Sequence, residues 1–272
     1  MSKIQVNYFS KDKTTIGEFM KSNGFGDRNI YLEIKENNVL VNNQIIKDRN
    51  YIIEPGSKVT IFLNEEDNEL FENDSPIDRV YEDDYFLIVN KPYNLDVEPS
   101  RYTTTNNLAS MVTHYFKEKN IHSKIHLVNR LDKLTSGLVI IAKNRFIKNL
   151  FRNTKIIKKY KCLVEGIISK SGEIRNKIAK VDNQSKHVIS ESGKECLTSY
   201  EVLEHIDGNT LLEVELHTGR THRMRLSFSD IGHPLVGDPL YGNKTKENRM
   251  YLESYYLEFE HPITNKHLLF KI

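Results

Sequence analysis

The apolar positions of this chain change period several times, and each change marks an element. "TTIGEFMKSNGF" (14–25) carries Ile16, Phe19 and Met20 at helical spacing behind a threonine, which predicts a short Thr-capped helix. "NVLVNN" and "KVTIFL" predict short strands, with turns at Asn42-Asn43 and Pro55-Gly56, because Asn and Gly tolerate positive φ. "DYFLIVNKP" (84–92) reads as a strand that stops at Lys91-Pro92. In "NNLASMVTHYFKEK", Leu108, Met111, Val112, Tyr115 and Phe116 share one face, the pattern of an amphipathic core helix. "YKCLVEG" alternates, and "YEVLEHIDGNTLLEVEL" predicts a hairpin around Asp207-Gly208. The tail "LESYYLEFEHPITNKHLLFKI" predicts strands joined by a proline-containing turn. Strands dominate and no regular βαβ period appears, so the expected fold class is α+β with a mostly antiparallel sheet.

One stretch resists this reading. "HLVNRLDKLTSGLVIIA" (126–142) places Arg130, Asp132, Lys133, Thr135 and Ser136 between two segments that favour burial. A charged loop between core strands is either a plain connection or the place where a fold displays its chemistry.

Composition narrows the choice. With 272 residues, 38% hydrophobic and 28% charged, the chain can build a real core in one large or two ordinary domains. The start, "MSKIQVNYFSKDK", has no apolar signal core, no apolar run is long enough to span a bilayer, and the cytoplasm is the expected compartment. Cys162 and Cys196 fit no metal or redox spacing and are expected as buried thiols. The net charge of +2 is unevenly spread. Residues 64–84 hold one Arg against ten acids, whereas 85–272 hold 29 Lys/Arg against 20 acids. A basic body suggests a polyanion partner. The acidic stretch "NEEDNELFENDSPIDR" (64–79) is the linker candidate, which divides the chain into 1–63, 64–79 and 80–272.

Common catalytic templates are missing: there is no G-x-S-x-G elbow, no phosphate-cradling Gly loop and no H-E-x-x-H. His217 and His222 flank "TGRT" without a plausible third ligand, so no metal site is expected. Three segments remain. "NRLDKLTSG" has a lone acid between Arg130 and Lys133. "KKYKCLVEG" has Tyr160 after a basic run. "HTGRTHRMR" has Arg220, Arg223 and Arg225. Each alone has a bland explanation: a turn aspartate, a half-buried strand aromatic, a solvated basic face. Between the first two lies a run of eight basic residues without an acid at 143–161, in which Arg145, Lys148, Arg152 and Lys155 are spaced to share one helix face. With Lys143, these are expected to contact the backbone of a polyanion and to make binding salt-dependent.

Taken together, "RLDKLTSG", "KKYKCLVEG" and "TGRTHRMR…GHPLVGDPLYG", in this order, resemble the RluA family of RNA pseudouridine synthases over roughly residues 80–272. "VNKP" and "SGKECLTSYEVLE" fit as well. "VLVNNQIIKDRNYIIEPGSKVTI" resembles the small RNA-binding domain first described in ribosomal protein S-four, with Asn43 and Ser57 in place of the usual Gly and Asp.

The resemblance implies roles. Asp132 matches the catalytic aspartate, as nucleophile or base. Tyr160 matches the tyrosine that packs on the target uracil. Arg225 matches the basic residue paired with the aspartate, and Arg130 the arginine that enters the RNA stack when the uridine flips out. Gly137 permits the turn and tight strand start. Arg220 and Arg223 are expected at the RNA, Arg223 as an added phosphate contact where the family has Gln. Asn129 stands where the family has His. Arg225 is expected to keep Asp132 ionised in a dry pocket, so Arg225→Leu or Arg225→Met should spare folding while cutting activity. The implied reaction needs no cofactor. The expected partner is RNA, large-subunit ribosomal RNA ahead of transfer RNA, with no membrane and a monomeric chain. Two competing readings are a catalytically silent RNA-binding or ribosome-assembly protein on the same fold, and a sugar hydrolase. The latter would need a second marked acid, and Asp238 in "GDPLYG" reads as a turn residue.

Overall fold

A computed structural model of the chain describes residues 3–65, 68–180, 187–216, 222–243 and 249–272. The first 63 residues build β1 (Ile4–Phe9), β2 (Thr14–Thr15), α1 (Ile16–Ser22), α2 (Asp27–Lys35), β3 (Val39–Val41), β4 (Gln44–Ile45), β5 (Ile52–Ile53) and β6 (Lys58–Leu63). Thr15 caps α1 by accepting a hydrogen bond from Glu18 N. Asn42 and Asn43, at φ 47 and 69, turn β3 into β4, and Gly56 at φ 82 turns the chain into β6. The strand order of this sheet is β1-β6-β3-β4.

The remainder contains β7 (Arg79–Glu82), β8 (Phe86–Lys91), α3 (Leu108–Glu118), β9 (His126–Leu127), β10 (Ser136–Ala142) and α4 (Arg145–Leu150). It continues with β11 (Ile157–Glu165), β12 (Gly172–Lys180), β13 (His187–Ile189), β14 (Lys194–Ile206) and β15 (Asn209–Leu216), and ends with α5 (Arg223–Asp230), β16 (Leu252–Glu260) and β17 (His267–Lys271). Eleven of these strands form one sheet, ordered β13-β12-β14-β15-β11-β16-β10-β8-β7, with β17 beside β16 and β9 beside β10. Every pairing is antiparallel except β10 with β16. Asp207 and Gly208, both at positive φ, form the turn between β14 and β15. The α+β class with a mostly antiparallel sheet is therefore as expected.

The continuous apolar run of β10 reflects burial on both faces. Leu138, Ile140 and Ala142 join Phe86, Ile88, Phe259 and the core of the N-terminal sheet, whereas Val139 and Ile141 join Leu87, Val89 and the apolar face of α3. A one-residue slip would exchange the two sets, so the register is strongly specified. Each buried Val, Leu or Ile contributes about 1.5–3 kcal/mol. The central strand is thus a rigid base for the charged loop at its N-terminal end.

The N-terminal sheet is anchored through α4. Phe25 stacks on Phe146 with ring centroids 3.9 Å apart, and Glu65 accepts a hydrogen bond from Arg145 N. Residues 68–73 of the acidic stretch 64–79 lie along α3 rather than hanging free. Asn68 donates to Thr113 Oγ1 at 2.7 Å, Asn73 N donates to Ser110 O, and Glu72 pairs with Lys117 and His114. Cys162 and Cys196 are buried free thiols, as expected.

Candidate active site

The loop between β9 and β10 opens onto a cavity of about 860 Å³. Asp132, Arg130, Tyr160, His222 and Arg225 all line it. The sequence places these residues on three separate segments, and the fold brings them together.

Two side chains hold the loop in place. Asn129 is buried and acts as a surrogate strand: its Nδ2 donates to Leu138 O at 3.1 Å, and its Oδ1 accepts from Ile140 N at 2.8 Å. That pairing explains how an amide serves where a histidine is usual. Both of its groups are spent on backbone, so the position needs a donor and an acceptor rather than a titrating ring. Lys91, at the end of β8, is fully buried. Its ammonium donates to Pro92 O, Leu95 O and, at 3.2 Å, Lys133 O, the residue after Asp132. Burial lowers the Lys91 ammonium to about 8, against the opposing pull of the Asp96 and Asp132 carboxylates. Thr135 N closes the turn on Asp132 O at 3.0 Å.

Gly137, the second residue of β10, sits at φ +113, where a Cβ would lie 2.3 Å from Ser254 O. Only glycine permits this approach, which is the parallel junction of β10 with β16. Tyr160 stands on β11 opposite Ser254, beside a register shift between Lys159 and Tyr160. Its ring is buried in the pocket wall, and burial pushes its hydroxyl up to about 12. It therefore stays protonated at neutral pH and offers an aromatic surface rather than a base.

The Asp132 side chain is 28% exposed, so it is not sealed in a dry site. Its Oδ2 lies 3.8 Å from Arg225 Nη1 and 3.8 Å from His222 Nε2. The main partner of Arg225 is Asp238: Nε and Nη2 each donate to one of its carboxylate oxygens at 2.7 Å, with both side chains buried. Burial opposes the Asp238 charge, but the Arg225 fork outweighs it and carries the carboxyl below its ordinary value. The expected Asp132–Arg225 pair is present at 3.8 Å, and Asp238, the closer partner, aims the guanidinium at it. Asp238 also accepts from Leu240 N and Tyr241 N, so it holds the turn expected of its Gly-Asp-Pro setting as well as the guanidinium. Tyr241 lies under the guanidinium at 5.2 Å, and its hydroxyl meets His222 Nδ1 at 3.0 Å. Burial, ahead of the opposing Asp132 charge, lowers His222 below its ordinary value.

Several basic residues sit differently from their expected places. Lys143 is buried, paired with Glu82 at 2.9 Å and bonded to Asp83 O, so it braces β7 instead of reaching RNA. Arg223 is 1% exposed and donates to Thr198 Oγ1, which removes it as a surface phosphate contact. Within the segment read as a basic face, residues 223–225 begin the helix α5, and Arg223 and Arg225 are both buried. α4 ends at Leu150, so Arg145, Lys148, Arg152 and Lys155 do not share one helix face. Of these four, Lys148 and Arg152 line one small cavity together. Arg220 lies outside the described residues. Arg130 is exposed on the rim and pairs with Glu98 at 2.7 Å.

Lys91, His222 and Asp238 had no site role assigned from sequence. Lys91 carried a signal, a charge closing an otherwise apolar strand. Asp238 and His222 carried none that local spacing could read.

Residues 85–230 match the family described as RNA pseudouridylate synthase. The chain is 34% identical to the uncharacterized RNA pseudouridine synthase YlyB of Bacillus subtilis (strain 168), over 100% of this chain and 94% of that protein. It is 32% identical to the ribosomal large subunit pseudouridine synthase D of Escherichia coli (strain K12), over 78% of this chain and 67% of that one. The solved structure of human RNA pseudouridylate synthase domain containing 1 superposes with a TM-score of 0.61 at 25% identity, covering 74% of this chain and 84% of the human one. The chain belongs to the RNA pseudouridine synthase family, a family of isomerases.

Proposed function

We propose that this chain converts a uridine of large-subunit ribosomal RNA to pseudouridine, with Asp132 as the catalytic residue. The observation that carries this reading is the Asp132 carboxylate itself. It projects into the cavity facing Arg225 and His222, and no hydrogen bond to its oxygens is seen among the described residues, so both remain available to react. In the reaction, the bond from ribose C1′ to uracil N1 breaks and a bond from C1′ to C5 forms. The C5 proton leaves and N1 gains one, so no redox partner is consumed. Asp132 acts on the sugar–base bond as nucleophile or base. The Arg225 guanidinium faces this carboxylate across 3.8 Å.

The uridine must leave its stack, at a cost of a few kcal/mol. Packing on Tyr160, together with Arg130 filling the vacated place, offsets that cost, since stacking contributes about 1–3 kcal/mol per base. Arg130 first releases Glu98, a weak exposed pair. Residues 1–63 serve as an S-four-like RNA-binding module ahead of the catalytic part. The ribosomal substrate is supported by the name of the Escherichia coli relative and by the excess of Lys and Arg over acids in residues 85–272.

The test maps pseudouridines in ribosomal and transfer RNA of cells with and without the protein, with rescue by wild type or Asp132→Asn. A ribosomal site lost on deletion and regained only with Asp132 is the expected result. A site lost from transfer RNA instead would move the substrate. No lost site would favour a silent RNA-binding protein.

A further inference from the structure

Beside the Asp132 pocket lies a second cavity of about 290 Å³, between α4 and the start of β11. Its lining includes Lys148, Arg152, Thr154 and Lys158, and no acidic residue. Ile156 and Lys158 line both cavities, so the two share a wall. At the low end of the volumes that hold small molecules, about 300–1,000 Å³, it suits a single anionic group better than a second nucleoside.

Lys158 differs from the other lysines of β11. Lys159 pairs with Glu213 at 2.6 Å, and Lys161 lies over the Tyr255 ring at 4.7 Å. Lys158 faces the cavities, as Tyr160 does two residues on, and among the described residues its ammonium has no ion pair or hydrogen bond. Lys148 and Arg152 have no side-chain partner among them either. Burial alone lowers Lys158, with no protein charge opposing it. A half-buried cation without a counter-charge destabilises the free protein, so its presence points to a ligand anion. The helix that carries Lys148 is held in place by Phe146, which stacks on Phe25.

We infer that this cavity is a phosphodiester subsite, in which Lys158, Lys148 and Arg152 take the backbone phosphate immediately flanking the uridine held over Tyr160. The inference rests on the reading of the larger pocket as the seat of that uridine. Lys158 would be the residue that ties the register of the RNA backbone to the reacting base, whereas exposed basic residues elsewhere add only affinity.

The experiment uses the full chain and an RNA stem-loop containing the uridine found by the mapping above. Single neutral methylphosphonates replace the phosphates around the target one at a time. In wild type, neutralising the flanking phosphate is expected to weaken binding about tenfold, as for the loss of one charge-assisted contact. Lys158→Met should bind unmodified RNA about tenfold more weakly and show no further loss on that methylphosphonate, while Lys158→Arg retains most of the affinity. Lys158→Met should melt no lower than wild type, because it removes an unopposed charge. Equal losses for Lys158→Met at every phosphate position, or a flanking methylphosphonate without effect in wild type, would overturn the subsite while leaving the activity standing. A lower melting temperature for Lys158→Met would overturn it by showing that Lys158 serves the fold. Wild type that modifies no RNA would overturn both readings.

Discussion

Arg225 closes a two-point fork on Asp238, both bonds at 2.7 Å, and only its third nitrogen faces Asp132, at 3.8 Å. The strong contact is therefore the one that orients the cation, and the weaker one faces the reacting group. A buried pair of this kind stabilises little as a whole, yet breaking one half of it is costly.

This relationship corrects the expectation that Arg225→Met spares folding. The substitution strands a buried Asp238 carboxylate and is expected to cost about 3–5 kcal/mol. Adding Asp238→Asn to Arg225→Met should recover much of that stability but none of the activity. Denaturant unfolding and single-turnover pseudouridine formation on the same variants separate the two effects. An Arg225→Met protein as stable as wild type would contradict the fork as the main contact.

Asn129 makes both of its bonds to the backbone of β10. Asn129→Ala leaves Ile140 N–H and Leu138 C=O without these partners and is expected to cost about 1–3 kcal/mol. Asn129→Asp should be worse at neutral pH, since it faces Leu138 O with a second oxygen and buries a charge. Urea midpoints of the three proteins give the order, and Asp at or above Ala would refute it.

Gly137 meets Ser254 O at 2.3 Å once a Cβ is added, at a φ that side chains avoid. Gly137→Ala is expected to cost more than about 4 kcal/mol, because the strain falls on the parallel junction between two central strands. The readout is soluble yield and melting temperature. A fall of only a degree or two would mean that β10 and β16 can separate cheaply.

Lys91 titrates near 8 in the folded protein, against an ordinary 10.5. The folded state therefore disfavours the bound proton, and the penalty is complete below about pH 8. As pH rises from about 8 toward 10.5, the unfolded chain holds more protons at this site than the folded one, so stability from Lys91 increases, by at most about 3 kcal/mol. The difference in melting temperature between wild type and Lys91→Met should shift in favour of wild type across that range. A difference that stays flat with pH would show that the ammonium is not penalised. Lys91→Met should also slow the reaction by loosening Lys133 beside Asp132.

Much of this protein was legible in its linear order. The Thr15-capped helix, the asparagine turn at 42–43, the Asp207-Gly208 hairpin and the α3 face depend on neighbours within a few residues, where φ preference and side-chain period act directly. The same holds for "NRLDKLTSG", whose charged centre is forced into the open by the apolar segments on either side. The tertiary structure decided what charge alone does not specify. Lys143 and Arg223 carry the same signature in sequence as Lys148 and Arg152, yet Lys143 meets a carboxylate in the interior, Arg223 a threonine hydroxyl, and the other two face a cavity. The Asp238 fork and the Asn129 clamp were decided there as well. A buried polar group is defined by its partner, and the partner is chosen by how strands and helices pack, not by distance along the chain.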